Sequence, residues 1–207
     1  MGKKIIIAIT GASGPIYARR LLEKLHSINN QLDACDLVFS STAREIWKYE
    51  LGTSPDELAG LFTIYDKNDF YAPFASGSAG YDAMIIIPCS MGTMGRIASG
   101  VSDDLITRAA DVMLKERKRL ILVIRENPYN LIHLKNMTLL TEAGAVISPA
   151  TPSFYSLPRT IEDLVDTVVN RLLDLAGFEN NGFRWQGEKI ERGRDGERER
   201  TDPILLV

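Results

Sequence analysis

TGASGP at residues 10–15 and PCSMGT at residues 88–93 each follow directly on an apolar run, and the reading of these two turns decides the fold. The first run, residues 4–9, is aliphatic without alternation, as expected of a parallel strand buried on both faces. Ser13, Gly14 and Pro15 then offer a cap, a flexible joint and a residue preset for the first helical turn, so a helix is expected to begin at residue 15. Its Ala18, Leu21, Leu22 and Leu25 follow the i, i+3, i+4, i+7 rule and give it one buried face. The unpaired amides at such a helix start attract an anion.

Outward from these turns, strand and helix alternate. Further strands are expected at residues 37–40, 83–87, 120–124 and 145–148. Thr42 and Glu45 have the spacing of a capping box, and so do Ser54 and Glu57, with Pro55 opening a short helix near residues 56–61. Longer helices are expected at about 93–99, 105–117, 130–143 and 161–176, with Gly100, Gly144 and Gly177 as stop signals. Residues 66–81 read as loop, a length that is unusual in a compact domain unless the loop covers a site or a partner. The pattern predicts a single α/β domain with a doubly wound parallel sheet in three αβα layers, flavodoxin-like or Rossmann-like, spanning residues 1–187. In the flavodoxin-like strand order, the ligand crevice lies between strands one and three, and the two special turns stand at those strands' carboxyl ends.

With 207 residues, 45% hydrophobic and 25% charged, the chain fits one domain of ordinary size, and a net charge of -3 argues against a nucleic-acid surface. No apolar run approaches the roughly 20 residues of a membrane helix, and MGKK followed by a strand does not read as a cleavable signal, so a cytoplasmic protein is expected. Cys35 and Cys89 are too few and too far apart for a metal cluster or a disulfide framework, and Cys89 reads as a small buried residue in a turn. The alternating charges of residues 188–202 suggest a solvated, flexible tail, whose last five residues, PILLV, could dock on a neighbouring subunit.

TGASG lacks the GxGxxG spacing of a dinucleotide site, and Gly14 is followed by Pro15 where a Walker loop needs lysine. A mononucleotide fits better, with its phosphate near Ser13 and its ring toward residues 90–93. Arg171 lies close to the apolar stripe of the last helix, either as a stem reaching back to water or as the binder of an anion.

TGASG, NDFYAPFASGS, IPCSMGT, RAADVMLKER, RENP followed by HLKNM, and PSFYSLP before EDLVDTVVNRLL together resemble the flavin prenyltransferases of the UbiX type, in unbroken order from about residue 4 to 185. The resemblance implies a flavodoxin-like flavoprotein, a homododecamer, that attaches a dimethylallyl group from dimethylallyl phosphate to reduced FMN. Its product would be the prenylated FMN used by UbiD-type decarboxylases. Carried over by position, it implies FMN contacts at Gly11, Ala12, Ser13, Ser40, Ser90, Met91, Gly92, Thr93 and Arg125. It implies prenyl-phosphate contacts at Tyr155 and Arg171, with Lys115, Arg108 and Glu126 completing a polar pocket and Glu50 reaching in from a neighbouring subunit. Trp185, Phe70 and Tyr155 are the aromatics available to face a carbocation.

Breaking an allylic carbon–oxygen bond leaves a phosphate anion and a carbocation, which calls for fixed cations, hydroxyls and electron-rich faces. Flavin N5 is expected to take the prenyl carbon first and C6 to close a fourth ring. Glu126, steered by Ser13 and the released phosphate, is the candidate acid/base, and Tyr155 belongs to the same catalytic set. No metal is expected, because the leaving group is expected to be a monophosphate and no aspartate-rich diphosphate motif is present. Read singly, Ser13 is equally a helix cap, Arg125 and Glu126 a loop pair, Lys115 a solvated helix end and Tyr155 a core aromatic. Phe70 stands where relatives often carry tryptophan, and Asp103 and Asp104 stand where amides are usual. The alternative enzyme is a flavin-dependent cysteine decarboxylase, but that class relies on a histidine after the second helix, and residues 66–81 contain none. A flavin carrier without catalysis would need no cluster of arginine, lysine and tyrosine.

Overall fold

The computed structural model describes residues 2–184; Trp185 and the expected tail at 188–207 lie outside the described residues. The elements are β1 (Lys3–Ile9), α1 (Pro15–Ser27), β2 (Leu32–Phe39), α2 (Ser41–Leu51), β3 (Thr63–Tyr65) and β4 (Ala83–Cys89), followed by α3 (Met91–Ala98), α4 (Leu105–Lys115), β5 (Arg119–Ile124), α5 (Leu131–Glu142), β6 (Val146–Ile147) and α6 (Ile161–Ala176). The six strands form one parallel sheet in the order β3-β2-β1-β4-β5-β6. Sequence reading supplied five of these strands. The sixth, β3, has three residues and one neighbour, β2, so it carries too little pattern to stand out.

The strands bury both faces because successive side chains alternate. On one face Ile5, Ile7, Ile9, Leu37, Phe39 and Ile85 meet Leu21, Leu22 and Leu25 of α1, Trp47 of α2, and Val169 and Leu172 of α6. On the other, Ile6, Ala8, Val38, Met84, Ile86 and Leu122 meet Met94 of α3, Ile106 and Ala110 of α4, and Leu140 of α5. Each such aliphatic side chain contributes roughly 1.5–3 kcal/mol on full burial, and this double-sided packing fixes the sheet on which the loops are carried. The strand order reverses between β1 and β4, and the turns after those strands open toward one crevice.

Two expected caps are reassigned. Gly14, at φ 100°, is the residue before α1 and Ser13 makes no capping bond; a side chain at Gly14 would strain that left-handed geometry. α2 is capped by Ser40, whose side chain accepts from the Ala43 amide at 3.1 Å, rather than by Thr42. The Ser54–Glu57 box does form, on a 3-10 turn at Pro55–Gly60. α6 has the expected bounds, set by the Thr160–Asp163 box and by Gly177. Asp104 caps α4 reciprocally with Thr107 and, with Asp103, pairs with Arg96, which gives the two carboxylates a structural role.

Candidate active site

Thr10 joins the two turns. Its side chain is almost wholly buried, donates to the Pro88 carbonyl at 2.8 Å and accepts from the Ser90 amide at 2.8 Å. Ser90 then caps α3, accepting from the Thr93 amide at 3.3 Å while its hydroxyl meets that of Thr93 at 3.1 Å. Residues 90–93 are thereby locked in register with Gly11, Ala12 and Ser13. Nothing lies within 4 Å of the position a Cβ on Gly92 would take, so the start of α3 opens onto free space, whereas Gly11 rests against the Thr42 side chain. Ser40 stands at the end of β2, with its amide donating to the Ile9 carbonyl at 2.9 Å. Arg125 and Glu126 follow β5, where the Arg125 amide donates to the Cys89 carbonyl at 3.4 Å and Glu126 accepts from the Asn127 amide at 3.1 Å. Eleven of the residues expected at the site, from Gly11 to Glu126, therefore gather at the carboxyl ends of β2, β1, β4 and β5 when Glu50 is counted with them.

Within one chain Glu50 accepts the Gly14 amide at 3.0 Å, which places a carboxylate beside the start of α1. Tyr17, against Gly14, is half-buried; burial raises its phenol above the ordinary value, and the nearby positive charge of Arg125 opposes that rise. Its hydroxyl reaches the Ala150 carbonyl at 3.5 Å and so ties the first turn to the segment that carries Tyr155.

Tyr155 and Arg171 lie together, in a groove that starts at Ser148 and Pro149, beyond the carboxyl end of β6 and so at the same end of the sheet as the two turns. Both line this groove of about 740 Å³ between residues 148–159, α6 and residues 181–184, with Ser153, Asp174 and Arg184. Arg171 is two-thirds exposed and belongs to the rim of α6 rather than to its apolar stripe. Lys115 is placed furthest from expectation. α4 begins where Leu105 donates to the Lys67 carbonyl, just past the end of β3, and Lys115 closes it about 16 Å further on, beside the amino end of β5, where it pairs with Glu116. Arg108, one turn into α4, donates to the Ala75 carbonyl at 3.1 Å and pairs with Asp111 at 2.9 Å. Lys115, Arg108 and Glu126 thus do not form one pocket within a single chain. Phe70 is exposed, and the buried aromatics of that long loop, Phe74 and Tyr81, pack edge-on with each other and with Tyr65 instead.

Burial pushes the Cys89 thiol up to about 12, and burial together with the charge of Asp36 does the same for Cys35; both are free cysteines. Such thiols are poor nucleophiles; Cys89 is buried as its sequence context suggested, but as the last residue of β4 rather than in the turn. Sequence reading did not single out Thr10 or Tyr17. The signal for Thr10 is a lone hydroxyl closing an aliphatic strand, and for Tyr17 an aromatic within the first helical turn. Among the described residues, no group of three or more His, Cys, Asp or Glu side chains is arranged to hold a metal ion, and no helix is long and apolar enough to cross a membrane.

The Flavoprotein family matches residues 1–173. The flavin prenyltransferase UbiX of Methanocaldococcus jannaschii is 46% identical over 184 residues, covering 88% of this chain and 98% of that protein. Among solved structures, AnUbiX (PadA1) in complex with FMN and dimethylallyl pyrophosphate superposes with a TM-score of 0.81 at 43% identity, covering 89% of this chain and all of that one. A dodecameric FMN-dependent UbiX-like decarboxylase from Escherichia coli O157:H7 gives a TM-score of 0.85 at 41% identity, with the same coverage.

Proposed function

The chain belongs to the Flavoprotein family and, within it, to the UbiX-type flavin prenyltransferases, and from that premise we propose that it joins a dimethylallyl group from dimethylallyl phosphate to N5 and C6 of reduced FMN. The prenylated FMN so made would serve a UbiD-type decarboxylase. The observation that carries this reading is the crevice itself: two small-residue turns, held in register by Thr10, with open space beyond Gly92 and with Arg125 and Glu126 at its side.

That arrangement fits a mononucleotide. Gly11, Ala12 and Ser13 would hold the phosphate end, Ser40 the adjoining edge, and Ser90, Met91, Gly92 and Thr93 the ring, with Arg125 alongside. Reduced FMN, as substrate, supplies the nucleophilic N5 and C6. The chain's task is to bind the allylic ester, neutralise the departing phosphate and exclude water. Arg171 and the Tyr155 hydroxyl would receive the phosphate as the carbon–oxygen bond breaks, and Glu126, oriented through Ser13, would take the proton lost from C6 and return one to the allyl unit. The pocket's fixed cations would do this work without a metal. The AnUbiX complex contains the diphosphate ester; we retain the monophosphate for this chain because its sequence has no aspartate-rich diphosphate motif.

The site is proposed to be completed by other copies of the chain in a homo-oligomer, a dodecamer by analogy with the Escherichia coli relative. Two placements support this: Lys115, at the amino end of β5 and so at the opposite end of the sheet from its own crevice, is available to a neighbour's, and α5 leaves Leu131 and Ile132 two-thirds exposed, an apolar face suited to a second copy. We further propose that residues 1–187 act as one domain in a cytoplasmic setting, in keeping with two unpaired cysteines. Tyr155→Phe and Arg171→Ala test the assignment. Each should bind FMN as the parent does yet lose prenylation; prenylation at the parent rate would show that the phosphate site is misplaced.

A further inference from the structure

Arg171 owes its availability to a competition for one carboxylate. Asp174 stands one turn beyond it on α6, in the i, i+3 relation that normally forms an ion pair. Arg171 Nη1 stays 4.0 Å from Asp174 Oδ2, at the outer limit of an ion pair and too far for a hydrogen bond. Asp174 is taken by other donors: Arg184 grips it with both Nη atoms, at 2.6 Å and 2.7 Å, and Asn180 Nδ2 donates to Oδ1 at 2.7 Å. A bidentate arginine fork with one further amide uses most of what a carboxylate can accept.

The segment that brings these donors back over α6 is closely fitted. The Gly182 amide donates to Asn180 Oδ1 at 2.9 Å, Asn180 also donates to the Asn170 carbonyl at 3.4 Å, and a Cβ on Gly182 would lie 2.6 Å from the Asn170 Cβ. Arg184 is therefore delivered to Asp174 by built geometry. Asp174, Arg184 and Arg171 all line the groove that holds Tyr155.

We propose that Arg184 and Asn180 are positioning residues for the donor phosphate: by saturating Asp174 they keep the Arg171 guanidinium from being neutralised by its own helix. This inference rests on Arg171 being the phosphate ligand. Without Arg184, Asp174 closes on Arg171, and an incoming phosphate must then displace a carboxylate that is already paired.

The test uses the full chain with reduced FMN under anaerobic conditions, with initial rates measured against dimethylallyl phosphate. Arg184→Ala should raise KM for the ester about tenfold, equivalent to about 1.4 kcal/mol, with kcat and FMN affinity little changed. Arg184→Ala combined with Asp174→Asn should restore KM to near the parent value, because the competing charge is gone; a merely structural role for the pair predicts a double variant at least as impaired as the single one. Asn180→Ala, a smaller change, should give an intermediate KM. An unchanged KM in Arg184→Ala, or no recovery in the double variant, overturns the proposal. Arg171→Ala separates the two levels: if it loses prenylation while Arg184→Ala leaves KM unchanged, only the positioning role fails, and if Arg171→Ala prenylates at the parent rate, the phosphate assignment fails with it.

Discussion

Replacing Thr10 with valine keeps the shape of a buried side chain and deletes the hydroxyl that joins the two turns. The lost contacts are the 2.8 Å bond to the Pro88 carbonyl, which is buried, and the 2.8 Å bond from the Ser90 amide, which is partly buried. The Pro88 carbonyl keeps the 3.3 Å bond from the Thr10 amide, so the larger cost falls on Ser90, whose partly buried amide loses its acceptor. Two lost bonds, one of them at a partly shielded donor, amount to about 2–3 kcal/mol. For a domain of this size that lowers Tm by about 4–12 °C. Because Ser90 also caps α3, slack at its amide moves the start of that helix, and FMN affinity should fall about tenfold. Thermal denaturation and titration of the flavin fluorescence read the two effects. Thr10→Ser keeps the hydroxyl and should retain most of the FMN affinity despite the lost methyl. The reasoning is refuted if Thr10→Val unfolds within 1 °C of the parent and binds FMN equally well.

Asp166 gives a pH signature: burial raises its carboxyl, but hydrogen bonds from Arg20 and Lys24 outweigh burial and leave it below the ordinary 3.8. A depressed carboxylate stabilises the fold above its unfolded value, and that stabilisation is lost as pH falls through the folded value. Asp166→Asn should therefore be less stable by about 1 kcal/mol at pH 7 in urea unfolding, with the gap closing in acid below pH 3.8; a gap independent of pH would contradict this. Cys35 and Cys89, pushed up to about 12, should resist a disulfide reagent at pH 8 in the native protein and both react on unfolding. Rapid labelling of the folded protein would show that the thiols are more accessible than their burial implies.

The crevice was legible in the sequence because it is built from local signals: an aliphatic run, then small residues, then a helix start, twice over. α6 was legible to the residue since Thr160, Asp163 and Gly177 fix both its ends through contacts along the chain. What escaped depends on distant partners. The first half of β2, Leu32 to Asp36, is polar enough to read as loop, and only the ladder to β1 makes it a strand. Gly14, in the left-handed position, takes the place before α1 where Ser13 was expected to cap, and Ser40 rather than Thr42 caps α2; no spacing rule announces either. The apolar residues of α5 do not announce how little of it one chain's core takes up: only Leu140 is buried, and Met137 packs partly against the core. Within one chain Lys115 and Arg108 are not brought to Glu126, because resemblance carries residue identities, whereas the course of α4 runs Arg108 against Ala75 and Lys115 to the amino end of β5.

Anaerobic incubation of the full chain with reduced FMN and dimethylallyl monophosphate, followed by mass analysis of the extracted flavin, tests the central claim most directly. The account predicts a flavin heavier by one five-carbon isoprenoid unit, with inorganic phosphate released in equal amount. Recovery of FMN at its original mass, with the protein folded and the flavin bound, would contradict it.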